Sequence, residues 1–287
     1  MSLVVLCPNP FRDIGLELTI KSKKMLESAG YDTAICPVFG ADEPEAFPAG
    51  TELSTWDEVA DRADLFIVLG GDGTVLNTAR ALDHSSAPLL GVNLGTKGFM
   101  ASLEPDNIEK ILDAAAGSYI SSPRMMIDVK LVRKGEVIYS ACGLNDAVIH
   151  GMGDCVKLTA SCDGDRIMSF SGDGIVIASP TGSTGYSMSA GGPIVEPEAE
   201  NIIVSPICAH VIGAKNFVLS SMRTISVKTE KIHDRHAFLS VDGDEGVEIK
   251  NDDIVLVRKS EKVVNLIHMG TKSFYDLTFD KLLYKNM

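Results

Sequence analysis

Residues 64–81, DLFIVLGGDGTVLNTARA, restrict what this chain can fold into more than any other stretch. Residues 65–69 form an unbroken apolar run without polar alternation, the pattern of a parallel strand covered on both faces. The run stops at Gly70-Gly71-Asp72-Gly73-Thr74. Val75, Leu76, Ala79 and Leu82 then recur at helical spacing, which predicts a helix from about Thr74. Strand, glycine turn and helix N-terminus together form an anion site, because glycines let backbone N–H groups approach an oxyanion and the helix end adds partial positive charge. Asp72 is the one residue such a cradle does not need. A carboxylate facing phosphates repels them unless it holds a metal ion or takes a proton from a hydroxyl. The plainer alternative is a tight turn with Asp72 capping the helix.

Strand and helix alternate on either side of this turn. Residues 3–7 read as a short strand broken by Pro8-Asn9-Pro10. A helix over 13–29 turns Leu16, Ile20, Met25 and Leu26 inward and stops at Gly30, and a second strand follows over 33–38. Residues 39–53, rich in Ala, Pro, Asp and Glu, read as a surface loop. Ser54, with Asp57 three positions on, comes close to a capping box for the next helix. A buried strand is expected over 88–93 and a helix over 106–116, ended by Gly117. This alternation predicts an open, doubly wound parallel sheet. Asn93-Leu94-Gly95-Thr96-Lys97-Gly98-Phe99-Met100 stands where a ligand loop leaves a strand's carboxyl end, although a glycine-rich connector with Phe99 buried would read the same.

After Pro123 the period changes from helical to alternating. Strands are expected at 127–132, 137–142, 156–161, 167–171, 175–178, 217–219, 224–227, 238–241, 254–257 and 263–267, with turns at Lys134-Gly135 and Asp163-Gly164. The tail, 273–283, returns to helical spacing through Phe274, Leu277, Leu282 and Leu283. The expected architecture is an N-terminal doubly wound α/β domain (1–119 plus 268–287) and a C-terminal antiparallel β-rich, sandwich-like domain (120–267). The last helix returns to the first domain.

A formal net charge of −13 argues against nucleic acid or a membrane surface as partner. Phosphate ligands would need local compensation, for which Arg80, Lys97 and Lys157 are candidates. No apolar run is long enough to span a bilayer and no signal peptide is recognisable, so a cytoplasmic location is expected. Cys7, Cys36, Cys142, Cys155, Cys162 and Cys208 include no CxxC pair and read as reduced, mostly buried residues.

Within the β half, Ser171-Gly172-Asp173-Gly174 precedes Ser179-Pro180-Thr181-Gly182-Ser183-Thr184-Gly185-Tyr186-Ser187-Met188-Ser189-Ala190-Gly191-Gly192-Pro193. Hydroxyls and glycines this dense are read as exposed donors for a polyhydroxylated, phosphorylated ligand. The segment resembles the DG…TPTGSTAYSLSAGGPI block of NAD kinases. GGDGT (70–74) and NLGxxGF (93–99) match that family too. Asn145-Asp146 stands at its Asn-Glu, and Val241-Asp242-Gly243 at its strand ending in Asp-Gly. Diacylglycerol and sphingosine kinases share GGDGT but lack the GSTxYS block.

The resemblance implies ATP-dependent phosphorylation of the adenosine-ribose 2′-hydroxyl of NAD to give NADP. It also implies a divalent metal, Mg²⁺ first, delivered with ATP (or polyphosphate), and a homodimer or homotetramer. Asp72 would be the general base, and Gly70, Gly71, Gly73 and Thr74 would face the phosphate donor. NAD would meet Asp72, Gly73, Phe99, Asn145, Asp146, Asp173, Thr184, Gly185, Tyr186 and Ser189, with Lys157, Cys208 and Asp244 near further contact positions. Asp146 is one methylene shorter than the usual Glu, Gly185 replaces Ala, Ala214-Lys215-Asn216 lacks an Arg-Pro, and Asp244 replaces Gln. A lipid or sugar kinase with the same glycine turn, and a non-catalytic NAD(P)-sensing protein, are the competing readings.

Overall fold

The computed structural model describes all residues except 1, 42, 83–85, 96–97, 154, 231–235, 271–272 and 281–287. Lys97, Thr96, Leu282 and Leu283 therefore lie outside the described residues. The chain divides into two compact units, Met1–Pro123 with Val264–Met287, and Arg124–Val263. The sequence reading places the boundaries at 119/120 and 267/268.

The first unit is built on β1 (Leu3–Pro8), β2 (Asp32–Ile35), β3 (Ala63–Gly70) and β4 (Leu89–Asn93), all parallel in the order β2-β1-β3-β4. The end of the strand Ile254–His268 adds a fifth member through Leu266↔Leu89 and Ile267↔Leu90. β3 sits in mid-sheet, and its residues from Leu65 to Leu69 are at most 3% exposed, as continuous apolarity demands. The helices are α1 (Glu17–Ser28), α2 (Trp56–Val59), α3 (Asp72–Ala81) and α4 (Ile111–Ala115).

Local chemistry shifts several boundaries. α1 is preceded by a 3-10 turn, Ile14–Leu16, because Asp13 accepts the amides of Leu18 and Thr19 and so starts the helix late. Its buried face is Thr19, Ser22 and Leu26, with Ile20 and Met25 only half-buried. α2 is capped one residue later than expected, by a box between Thr55 and Glu58 rather than Ser54 and Asp57. The helix expected over 106–116 is a 3-10 turn, Pro105–Lys110, before the short α4. β2 ends at Ile35, three residues short of the expected strand.

The second unit is antiparallel. Its strands are β5 (Ile120–Arg133), β6 (Glu136–Gly143), β7 (Asp146–Gly151), β8 (Val156–Cys162), β9 (Asp165–Gly172), β10 (Gly174–Ala178), β11 (Asn201–Ile207), β12 (Phe217–Ser220), β13 (Ile225–Glu230), β14 (Ala237–Val241), β15 (Val247–Ile249) and β16 (Ile254–His268). One sheet runs β12-β11-β10-β7-β14-β15, and the other joins β16, β13, β8 and β9 with the β5–β6 hairpin. Residues of both sheets share one core, including Ile127, Leu158, Ile175, Ile225 and Leu239, each fully buried. The turns at Lys134-Gly135 (φ 52° and 87°) and Asp163-Gly164 (φ 50° and 94°) have both residues at positive φ, which suits the twist of a hairpin.

Three strands escape the sequence reading. β7 carries only Ala147, Val148 and Ile149 between polar ends, β11 contains Pro206, and β15 has three residues. Conversely, 254–257 and 263–267 are one strand, because the polar stretch between them stays extended. The remaining α-helices are the one-turn α5 (Tyr186–Ser189) and the tail helix α6 (Phe274–Thr278). Ser273 and Asp276 cap α6 reciprocally.

Candidate active site

In the first unit, strand order reverses between β1 and β3, and crevices outside the carboxyl ends of strands form at such points. The glycine turn lies there, tied to the chain leaving β1 by Asn9 N–H to Leu69 O at 2.8 Å. Gly71 is the N-cap of α3 and Asp72 its first helical residue. Asp72 does not cap the helix. Its Oδ2 accepts the amide of Phe99 at 2.8 Å, and its Oδ1 those of Met100 at 3.1 Å and Ala101 at 3.4 Å. One carboxylate thereby holds the loop after β4, which is further pinned by Leu94 N–H to Gly70 O at 2.8 Å.

The glycines divide by purpose. No neighbour lies within 4 Å of where a Cβ on Gly71 or Gly73 would stand, so their backbone is open to a ligand. At Gly70 a Cβ would collide with the Thr74 side chain. Thr74 is 2% exposed, and its hydroxyl accepts a hydrogen bond from Asn9 Nδ2 at 3.3 Å. Gly70 and Thr74 thus shape the turn while Gly71 and Gly73 face outward. Arg80 is half-buried in the last turn of α3.

The second unit gathers another set around Asp242, which is left-handed at φ 51°. Its carboxylate accepts the amides of Leu144, Asn145 and Asp146 at 2.7, 2.8 and 3.0 Å, and its own amide donates to Asp146 O at 3.0 Å. Asn145 Oδ1 is buried and has no hydrogen-bond partner among the described residues, as expected of an acceptor kept for a ligand. Asp146 is 6% exposed. Burial first, and the Asp242 charge second, push its carboxyl from an ordinary 3.8 up to about 7. A Cβ at Gly182 would strike the Asn145 carbonyl, so only glycine lets the hydroxyl-rich segment close on this pair. Gly185 lies beside it, its Cβ position 3.8 Å from both Asn145 Nδ2 and Asp146 Oδ2.

The hydroxyl-rich segment corrects one expectation. Ser179, Ser183 and Ser187 are fully buried and Thr181 is 6% exposed. The three serine hydroxyls bond inward, Ser179 to Leu144 O, Ser183 to Val195 O and Ser187 with Ser205, whereas the buried Thr181 hydroxyl has no hydrogen-bond partner among the described residues. What remains outward is the half-buried Thr184 and, one helical turn apart on α5, Tyr186 (46% exposed) and Ser189.

The other expected residues lie on different networks. Lys157 on β8 is paired with Glu230 at 2.7 Å, which neutralises a candidate phosphate cation. Asp244 accepts Tyr139 Oη at 2.8 Å and the amides of Val241 and Gly246, closing the turn after β14. Asp173 shares a cluster with Cys155 and Cys208. Of the six cysteines only Cys7 and Cys36 are buried, against the expectation that most are, and none forms a disulfide. Asp242, read in the sequence only as part of Val241-Asp242-Gly243, has no role assigned there, and the structure makes it the residue that fixes the Asn145–Asp146 backbone. The signal for it is an acidic residue before a glycine at a strand end, where a side chain can reach neighbouring amides.

Residues 16–117 match the ATP-NAD kinase N-terminal domain and residues 144–269 the ATP-NAD kinase C-terminal domain. The chain belongs to the NAD kinase family. An NAD kinase from Ruminiclostridium cellulolyticum is 33% identical over 98% of both chains, and one from Natranaerobius thermophilus is 34% identical over the same shares. The NAD kinase of Trichlorobacter lovleyi is 36% identical over 79% of this chain and 81% of its own. Among solved structures, a yeast NADH kinase complexed with NADH has a TM-score of 0.85, with 24% identity over 100% of this chain and 88% of its own. An Archaeoglobus fulgidus NAD kinase in complex with ATP has a TM-score of 0.74, with 23% identity over 98% of each chain. The family sets aside a lipid or sugar kinase. Among the described residues no helix is long and apolar enough to cross a membrane.

Proposed function

We propose that the protein transfers the γ-phosphoryl group of ATP to the adenosine-ribose 2′-hydroxyl of NAD, giving NADP, with Asp72 taking the hydroxyl proton. The observation that carries the residue assignment is the fixed carboxylate of Asp72. Three backbone amides orient it, yet a carboxylate offers about four lone-pair positions, so it keeps capacity for a substrate hydroxyl. Phosphoryl transfer relies on positioning and charge stabilisation more than on covalent chemistry by the protein. The open amides of Gly71 and Gly73 are assigned to the donor phosphates, with Gly70 and Thr74 holding the turn behind them.

Among the described residues no three His, Cys, Asp or Glu side chains assemble as a metal-ligand set. The divalent ion, Mg²⁺ first, is assigned to ATP as part of that substrate, since Mg²⁺ is commonly held by phosphates and water with one or two carboxylates. NAD is assigned to Asn145, Asp146, Asp173, Thr184, Gly185, Tyr186 and Ser189 of the second unit and to Asp72, Gly73 and Phe99 of the first. Asn145 supplies its unpaired buried acceptor and Tyr186 an exposed ring for stacking. Asp244 and Lys157 support neighbouring turns and strands. A cytoplasmic homo-oligomer is the setting we assign.

The test is NADP formation from NAD, ATP and Mg²⁺, read by an NADP-specific dehydrogenase. Asp72→Asn should lower kcat by about 10²- to 10⁴-fold. Binding of NAD without turnover by the unaltered protein would instead establish a sensor. An Asn variant retaining more than about a tenth of the rate would remove the base role.

A further inference from the structure

The chain leaving β1 and the loop leaving β4 border an open cleft of about 590 Å³ at the start of α1, all of it within the first unit. Ile14, Leu18, Leu94 and Pro105 give it an apolar wall, while Arg12, Glu17 and Lys21 bring charge to it. Asp13 also lines it, but its carboxylate is taken up by the amides of Leu18 and Thr19. Neither Arg12 nor Lys21 is ion-paired among the described residues, although Glu17 and Lys21 stand four apart on α1. In a protein of net charge −13, two unspent cations at one cleft favour an anionic ligand there. The turn between β1 and α1 is strained, with Gly15 and the fully buried Leu16 left-handed at φ 67° and 55°. A leucine keeps that conformation only where packing holds it, and the turn leaves Ile14 71% exposed at the cleft. Two links join the cleft to the glycine turn. Asn9 donates its amide to Leu69 O and its side chain to Thr74, and its carbonyl accepts the amides of Arg12 and Asp13 at 3.0 and 2.9 Å. Leu94 donates to Gly70 O, and the Cβ position of the next residue, Gly95, is 3.8 Å from Gly71 Cα.

We propose that this cleft is the base-and-ribose subsite of the phosphate donor, which makes the donor a nucleoside triphosphate rather than inorganic polyphosphate and leaves the choice of base loose. The proposal rests on the assignment of the donor phosphates to the amides of Gly71 and Gly73. A triphosphate held there has its nucleoside end free to enter the cleft, which begins one residue away at Leu94. The base lies against Ile14, Leu18, Leu94 and Pro105. Glu17 accepts ribose hydroxyls, and Arg12 and Lys21 offset phosphate charge. Among the described residues the side chains lining the cleft include no amide and no hydroxyl. A site that pairs the polar groups of its substrate rejects an analogue by orders of magnitude, whereas an apolar wall discriminates weakly. Adenine and guanine are therefore nearly equivalent to it. Inorganic polyphosphate has no group that the wall can hold.

The full chain is titrated by isothermal calorimetry with ATP, GTP and tripolyphosphate, each with Mg²⁺. ATP and GTP should bind within about tenfold of each other, and both at least about tenfold tighter than tripolyphosphate. Ile14→Ser removes apolar contact at an exposed position, so Tm should not change. The same variant should bind ATP and GTP at least about tenfold more weakly and tripolyphosphate as before. In the coupled assay its ATP KM should rise by that factor while kcat and the NAD KM stay at their starting values. A merely structural Ile14 would move the constants of both substrates or of neither. Tripolyphosphate binding as tightly as ATP, a preference for one base beyond about tenfold, or unchanged ATP affinity in Ile14→Ser would each overturn the proposal. Calorimetry reads binding without turnover. Failure to form NADP would therefore defeat the kinase reading, and the binding results would still decide the cleft.

Discussion

Replacing Asp146 with Asn should make the ligand-free protein more stable at pH 8 while weakening its use of NAD. In the folded chain the Asp146 carboxyl titrates at about 7 against an ordinary 3.8, chiefly because it is buried and secondly because Asp242 is near. The folded state thus holds the Asp146 proton more tightly than the unfolded chain does. Stability from this group is complete below pH ~4 and is lost as pH rises through ~7. The interval between the two values corresponds to about 4 kcal/mol at pH 8. Asn carries no charge, keeps the size, and can direct its amide at the Asp242 carboxylate. Allowing for relaxation around Asp242, a gain of about 2–4 kcal/mol is expected. For a chain of this size that raises Tm by about 4–16 °C. Below pH ~4 the two proteins should melt together, because Asp146 is then protonated in the folded and the unfolded chain alike, and the offset should open steadily as pH rises to ~7. Scanning calorimetry from about pH 3.5 to 8 without nucleotide reads this directly. Equal offsets at both ends of the range, or no gain at pH 8, would refute the reasoning. In the coupled assay the NAD KM should rise by about 5- to 150-fold, because a ribose hydroxyl loses a charged acceptor.

Other perturbations separate scaffold from site. Gly182→Ala should destabilise the second unit by at least about 1–3 kcal/mol, since its Cβ meets the Asn145 carbonyl; a wild-type melting curve would show that the segment relocates freely. Tyr186→Ala should leave stability within about 0.5 kcal/mol, its ring being exposed, yet raise the NAD KM by about 5- to 150-fold if the ring stacks on the ligand. Adding a chelator should stop turnover without lowering Tm in the absence of nucleotide, and a drop in Tm would reveal an ion held by the protein itself.

What the sequence made legible follows from how each signal is encoded. The turn after β3 could be read because five consecutive apolar residues and a glycine pair leave few other folds. β7 could not, because it begins at the site residue Asp146, and three apolar positions do not define a period. The segment 179–189 shows the limit of composition. Serine hydroxyls satisfy backbone carbonyls inside the protein as readily as ligands outside it, so density alone does not say which way they turn. The arrangement at Asp72 depends on amides 27 to 29 residues away, and that at Asp242 on amides 96 to 98 residues away. Spacing in the chain carries neither.

The pairing of β4 with Leu266 and Ile267 also bears on how the chain emerges from the ribosome. Leu89 and Leu90 are synthesised some 177 residues before their partners, as the register Leu266↔Leu89 requires. At about 5–20 residues per second, that edge waits roughly 9–35 s for its last strand. Throughout that time the sheet bearing the glycine turn presents an open apolar margin to other nascent chains. Completing it waits on residues made long after the glycine turn, so chains that stop before Leu266 should be chaperone clients rather than partial enzymes.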